Sequence, residues 1–263
     1  PWAALRYRCR YAESLGAGLM IAGTQVAHQW LGTYRRRVPG FIVLTEFQKQ
    51  LMVRTGMPLD RIHVKPNFVH APATPVDTAA PRLRQIVYVG QIVKAKGVDL
   101  LLEAWQRLAP AGWKLVLVGD GPELPGWQQA HPDSDTLLWA GRRTRQETMA
   151  IVSRSSLLVL PSRWYEGMPL VLLEAMAVGT PILVPQHGAF LSMLHGEAEG
   201  RFFAPCDAGS LAATLGEMLA ADETQWRHWR ESAWAAWQEL YTPEVNHRQL
   251  MDIYDRVIAR VRG

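Results

Sequence analysis

The sequence predicts an α/β protein organised on a doubly wound parallel sheet, and two observations carry that expectation. From Gln85 to Pro185, short and nearly continuous apolar runs alternate with segments of helical periodicity, the pattern of strands covered on both faces. The glycine-bearing loops, at Gly90, Gly119 and Gly121, Gly141 and Gly167, all follow apolar runs. They should therefore share the carboxyl edge of the sheet, where ligands bind near a topological switch point.

Bulk composition sets the outer bounds. The chain has 263 residues, 48% of them hydrophobic and 20% charged, enough for one large or two modest globular domains. It opens on Pro1 rather than Met and is expected to be a piece of a longer protein. No signal peptide is visible. The net charge of +4 is uneven, with knots at Arg6, Arg8 and Arg10 and at Arg35, Arg36 and Arg37. A nucleic-acid binder would extend such a surface along a groove with interleaved aromatics, so no nucleic-acid partner is expected. A local patch suffices for anionic lipid or a phosphorylated acceptor. Cys9 and Cys206 match no metal or redox spacing and read as free thiols.

Taken in order, Leu15–Leu31 is interrupted by Gly, Thr, Gln and His and is too broken to span a bilayer, so it reads as a buried or interfacial helix. Phe41–Thr45 is a buried strand, Glu46–Gly56 a short helix stopped by its glycine, and Ile62–Asn67 a strand. The Ala- and Pro-rich stretch between His70 and Arg82 has no apolar period and reads as a linker. Beyond it come strand 85–90, helix 98–109, strand 114–119, helix 123–130, strand 136–141, helix 145–154, strand 156–161, the helix after Pro169 and strand 181–185. Helices 207–220, 223–240 and 243–261 close the chain. Trp226, Trp229, Trp234 and Trp237 form a stripe on the second of these, which reads as core rather than as a sugar-stacking platform.

The chemistry concentrates between Pro161 and Pro181, PSRWYEGMPLVLLEAMAVGTP. A helix with Pro169 at its first position and Gly179 past its end would leave the amides of Met168, Leu170 and Val171 free. Those amides and the positive end of the helix dipole form an anion site. Glu174 lies one turn farther along the same side, where it could accept hydrogen bonds from hydroxyls. Phosphate on the amides and a ribose diol on the acid would suit a nucleotide. A buried crossover helix with a solvated Glu fits the same pattern. Lys96 follows strand 85–90 at the same edge and could neutralise a diphosphate leaving group.

Other motifs fail on inspection. In GDGPEL the third glycine position is Leu124 and Pro122 sits in the turn, so a dinucleotide fingerprint is absent. GQIVKAKG lacks the Lys-Ser/Thr ending of a phosphate-binding P-loop. Asp133-Ser134-Asp135 precedes a strand and reads as a polar turn rather than a metal-binding pair. The histidines lack ligand spacing, and no nucleophile elbow is present. Neither a metal nor a cofactor is expected.

With Glu166 and Glu174 eight positions apart in PSRWYEGMPLVLLEAMAVGTPILV, this block resembles the signature of the retaining glycosyltransferases of family four. VGQIVKAKGVDLLLEAW and LVLVGDGPEL resemble that family's strand–loop units, and TPEVNHRQLMDIYDRVI its closing helix. The similarity runs from about residue 38 to the C-terminus. It implies the GT-B fold, with a Rossmann-like donor domain at 84–242, a remnant of a second Rossmann-like domain at 1–70, a linker at 71–83 and a helix at 243–263 crossing back to the remnant. It implies a nucleotide-diphosphate sugar, UDP- or GDP-linked, as donor substrate and a glycan or lipid-linked acceptor. Transfer would retain the anomeric configuration without a metal. Glu174 would bind the ribose, Glu166 the transferred sugar, and Lys96 with the backbone of Gly167, Met168, Pro169, Leu170 and Val171 the diphosphate. Gly90, Gln91 and Gly119 would line the donor site, with Gly141 and Arg142 by the base.

Three departures stand out. Gln91 replaces the family's usual Arg, with Lys94 only a weak substitute; Ser192 stands where an acid is common; and most of the N-terminal domain is missing. The resemblance implies cell-surface polysaccharide synthesis on the cytoplasmic side of a membrane, with peripheral contact at its inner face. The alternatives are a non-catalytic nucleotide-sugar-binding module and a sugar-nucleotide epimerase of the same fold.

Overall fold

The computed structural model describes residues 15–72, 76–196 and 198–262. Arg6, Arg8, Arg10 and Cys9 lie outside the described residues.

Six parallel strands form the main sheet: β3 (Leu83–Val89), β4 (Lys114–Val118), β5 (Leu137–Gly141), β6 (Ser155–Val159), β7 (Ile182–Pro185) and β8 (Gly200–Phe203), in the order β5-β4-β3-β6-β7-β8. The chain winds outward from β3 to β5, returns to lay β6 beside β3, and winds outward the other way. The order reverses between β3 and β6, paired through Ile86↔Leu157 and Val87↔Leu158. That is the switch point at which loops on the carboxyl edge part to leave a crevice. Ile86, Val87, Leu157 and Leu158 are fully buried, as expected of central strands covered on both faces.

The covering helices are α4 (Val98–Leu108), α5 (Leu124–Ala130), α6 (Arg145–Arg154), α7 (Leu170–Ala177), α8 (Ala208–Leu219) and α9 (Glu223–Leu240). Trp226, Trp229 and Trp237 of α9 are buried and Trp234 packs against the same core, so the stripe is structural. The DSD segment is a bent loop tied to the strand that follows it: Asp133 Oδ1 accepts from Trp139 N at 2.7 Å and Ser134 N donates to Leu137 O at 2.9 Å.

Four expectations need correction. Strand β8 was not foreseen; it is four residues long, begins on Gly200 and sits at the sheet's edge, and only Phe202-Phe203 hinted at it. Helix α7 starts at Leu170, with Pro169 as an extended N-cap (ψ 117°) rather than the first helical residue. Strand β1 (Phe41–Val43) stops short of Thr45, whose hydroxyl accepts from Gln48 N to cap α3 (Glu46–Arg54), and Ile42 is exposed rather than buried. Strand β2 (Ile62–Val64) pairs in parallel with β1 and ends before Pro66, which has no N–H to continue the ladder.

Helix α1 (Leu15–Trp30) forms where expected, but it is not buried: Leu19, Met20 and Val26 are exposed and Trp30 is 90% exposed. A short α2 (Thr33–Arg37) carries Arg35–Arg37. No helix among the described residues is long and apolar enough to cross a membrane.

The last helix, α10 (Pro243–Arg262), returns to the β1–β2 unit. Lys65 Nζ donates to Asn246 Oδ1 at 2.9 Å, Asn246 Nδ2 to Pro66 O at 2.6 Å, and Arg260 pairs with Asp60. The described part of the linker is held down. Arg230, 2% exposed, donates from Nε to Thr78 O at 2.6 Å and pairs with Glu223, while Arg82 Nη2 donates to Val178 O at 2.9 Å. Val69 N donates to Tyr241 O at 3.1 Å, and Trp237 Nε1 to Val69 O at 3.3 Å.

Candidate functional site

The loops after β3 and β6 meet in the crevice that the strand order creates. Lys96 ends a turn of 3-10 helix, Lys94–Lys96, and Gly97 follows in left-handed backbone (φ +73°). A Cβ at Gly97 would lie 1.9 Å from Pro161 O, so only glycine lets the two loops close together. Arg163 fastens them further: its N–H donates to Ala95 O and its Nη1 to Lys94 O, each at 3.0 Å, and it forms an ion pair with Asp99 that holds its pKa above the usual arginine value.

This closure brings two of the expected residues into direct contact. Lys96 Nζ donates to Glu166 Oε1 at 2.7 Å, and Ser162 Oγ donates to the same oxygen at 2.7 Å. The Glu166 carboxylate is largely enclosed. Tyr88 stands nearby, donating from its hydroxyl to Gln91 O at 2.8 Å; burial, reinforced by the Glu166 charge, pushes its pKa well above the usual phenol value.

Following Glu166, Gly167 and Met168 pass beneath the β1–β2 unit. Asn67 N approaches Met168 Sδ at 3.2 Å, and a Cβ on Gly167 would stand 3.3 Å from Gln48 Nε2. Tyr165 stacks on Phe47 of α3 (5.4 Å between centroids) and meets the edge of His187, which sits in the loop after β7. His187 Nε2 lies 3.0 Å from Ser162 O and so donates to it. The amides of Leu170 and Val171, in the first turn of α7, have no partner within their own helix and face this loop with the positive helix end.

Glu174 lies a turn farther along α7. Its Oε1 accepts from Arg145 Nε at 2.9 Å. Arg145 is the first residue of α6, directly after a capping box in which Thr144 and Glu147 satisfy each other's backbone N–H groups.

Beside these groups a cavity of about 590 Å³ opens between the loops after β3, β4 and β5, lined by Gly90, Gln91, Gly119, Asp120, Arg142 and Arg143 among others. Gly119 (φ +148°) is required there, since a Cβ would fall 1.8 Å from Gly90 O. Gly141 adjoins through its carbonyl, which accepts from Gly119 N at 3.0 Å. Glu166, Lys96 and Glu174 are not part of the cavity wall. The expected residues thus form two adjoining groups, a cavity and an enclosed Lys–Glu cluster, with α7 alongside the second.

Ser162, Arg145, Arg163, Tyr165 and His187 were missed from sequence. The capping box before Arg145 was legible; its reach to Glu174, 29 residues on, was not. Among the described residues no three of His, Cys, Asp and Glu gather as a metal ion would require.

The family model for glycosyl transferases group 1 matches residues 76–233, well over half of the chain. The chain is 30% identical over 250 residues to an exopolysaccharide phosphotransferase of Streptomyces coelicolor, covering 85% of this chain and 26% of that protein. It is 26% identical over 209 residues to the alpha-D-kanosaminyltransferase of Streptomyces kanamyceticus, covering 73% and 54%. The fold matches that of Anabaena Alr3699/HepE, solved in complex with UDP-glucose, with a TM-score of 0.71 at 16% identity over 93% of this chain and 69% of that one. Such likeness, with the parallel sheets described above, shows the GT-B fold. The chain spans between about a quarter and about half of the length of the curated relatives it matches.

Proposed function

The chain belongs to the glycosyl transferases group 1 family, and from that premise we propose that it is the nucleotide-sugar-binding part of a retaining glycosyltransferase. It would move a sugar from a nucleotide-diphosphate donor to a glycan or lipid-linked acceptor during synthesis of a cell-surface polysaccharide. In this reading residues 84–242 are the donor domain, 1–70 the end of the acceptor-side domain, 71–83 the link and 243–263 the helix that crosses back.

The observation that carries the proposal is the convergence at the β3–β6 crevice: an enclosed Lys96–Glu166 pair at 2.7 Å beside the amide-bearing end of α7, with the Glu174 carboxylate one turn on. A diphosphate fits the cation and the amides, which carry the opposite charge. The cavity between Gly119 and Arg142 would take the base, and Glu174 the ribose. As negative charge builds on the leaving diphosphate, Lys96 would be the cation that balances it. Its departure from Glu166 would free that carboxylate for the hydroxyls of the sugar.

The bond to the anomeric carbon breaks as the diphosphate leaves, and the acceptor oxygen attacks from the same face, passing its proton to the departing phosphate oxygen. No metal or cofactor enters this scheme. The same reading puts the reaction on the cytoplasmic side of a membrane, with peripheral contact only.

One observation favours a second reading. Gln91 lines the cavity where the resembled family carries an arginine. A module that binds donor without transfer would tolerate that loss.

Thermal-shift screening of UDP-, GDP- and ADP-sugars against the 263-residue chain tests the proposal. A stabilising shift by one donor class, removed in Glu174→Ala, is expected. No shift with any nucleotide sugar would refute it; binding without transfer in the longer protein would favour the second reading.

A further inference from the structure

We propose that the Arg145–Glu174 pair is a latch on the ribose subsite, opened when the vicinal hydroxyls of a nucleotide's ribose take the carboxylate over. This rests on the reading of Glu174 as the ribose acceptor.

The two partners are unequal. The Glu174 side chain is 17% exposed and held on the inner part of α7, whereas Arg145 is 68% exposed. The acceptor is fixed, and the cation reaches it across solvent from a helix start that the Thr144–Glu147 capping box anchors. Neither side chain makes another hydrogen bond among the described residues. Among the described residues, Arg145 is thus the hydrogen-bond partner of the Glu174 carboxylate.

A cis-diol presents two O–H donors side by side and binds a carboxylate best through both oxygens. Arg145 Nε already engages Oε1 at 2.9 Å. A diol that takes both oxygens must share Oε1 with Arg145, and two donors on one oxygen weaken each other, so diol and guanidinium compete for it. An exposed ion pair gives way readily, because water solvates a released guanidinium well. A ligand without the diol has nothing with which to displace Arg145 and binds beside a closed latch. The pair thereby becomes a filter for ribonucleotides, working through the hydroxyls they must supply.

Isothermal titration of UDP and GDP against their 2′,3′-dideoxy forms tests this. Arg145→Gln removes the competitor, and ribonucleotide binding should tighten about two- to fivefold, the range that loss of an exposed ion pair allows. Dideoxynucleotide binding should stay unchanged, and in a Glu174→Gln background the gain should vanish. An equal shift for both nucleotide types would show only a general charge effect and overturn the latch, as would weaker or unchanged ribonucleotide binding. If the wild-type chain prefers the diol but Arg145→Gln leaves that preference untouched, the latch alone falls. If the wild type binds both forms equally and Glu174→Gln alters neither, the ribose assignment falls and the latch with it. Arg145→Lys, which keeps a cation but loses the planar fork, should show a smaller gain in the same direction; a loss there would also count against the latch.

Discussion

Lys96 and Glu166 hold each other at 2.7 Å across the crevice between β3 and β6 although they lie 70 residues apart. Each is the other's counter-charge. On the proposed reading, a ligand that draws the ammonium towards a diphosphate would also uncover the carboxylate, and one nitrogen would couple the diphosphate and sugar ends of the site.

That coupling makes Lys96→Met informative. Affinity for nucleoside diphosphates should fall at least tenfold, whereas a nucleoside without phosphates should bind unchanged, as titration calorimetry would show. Removing the cation also leaves Glu166 enclosed with, among the described residues, only the Ser162 hydroxyl as donor. Denaturant unfolding should register a loss of about 1–3 kcal/mol. Equal weakening for nucleoside and nucleotide would contradict the assignment.

The two carboxylates should separate binding from turnover. Glu174→Ala is expected to weaken nucleotide binding by about tenfold or more, the worth of hydrogen bonds to a charged group. Glu166→Ala should leave nucleotide affinity close to wild type and abolish sugar transfer in the full-length protein. If Glu174→Ala binds nucleotide as the wild type does, the ribose role is wrong.

Glycine positions provide a stability test with an internal control. Gly97→Ala forces a methyl to within 1.9 Å of Pro161 O in left-handed backbone, and should cost about 2 kcal/mol or more while splaying the two loops. Gly126 lies within α5 with nothing near its missing Cβ. Gly126→Ala should stabilise by roughly 0.5–1 kcal/mol through helix propensity. Urea titrations of both variants would check the contrast, and donor binding should be lost only in the first.

A pH dependence follows from His63 on β2. Burial, then the charges of Arg256, Lys49 and Arg260, hold its pKa below the ordinary 6.5. The unfolded chain therefore takes up the proton first. The stability contributed by neutral His63 is present above about 6.5, declines as pH falls through that value, and levels off below the folded-state pKa. Melting temperatures at pH 8 and pH 5 should differ more for wild type than for His63→Gln; identical differences would show that His63 takes no part.

Much of the six-stranded unit could be read from the sequence because its information is local. A run such as IVYV followed by Gly90, or LVLV followed by Gly119, declares both a buried strand and the end at which its loop emerges. Parallel pairing then places Lys96 and Glu166 at one edge without any structure. What escaped has other causes. Strand β8 is short and marginal, and pairing with β7 rather than its own pattern makes it a strand. Pro169 suits both an N-cap and a first helical turn, so the start of α7 was ambiguous by one residue. Arg145 meets Glu174 only because α6 packs beside α7, and His187 meets Ser162 only because β7 lies beside β6. Those are facts of tertiary packing.

The chain passes between its two sheets twice, once near Val69 and once near Tyr241, and the passages are stitched together by Val69 N to Tyr241 O and Trp237 Nε1 to Val69 O. A doubled, bonded crossing is a seam with two stitches, and loss of Trp237 Nε1 would load the one that remains. The loop carrying Glu166–Met168 touches Gln48 and Asn67 beyond that seam, so the seam also fixes what stands over Glu166.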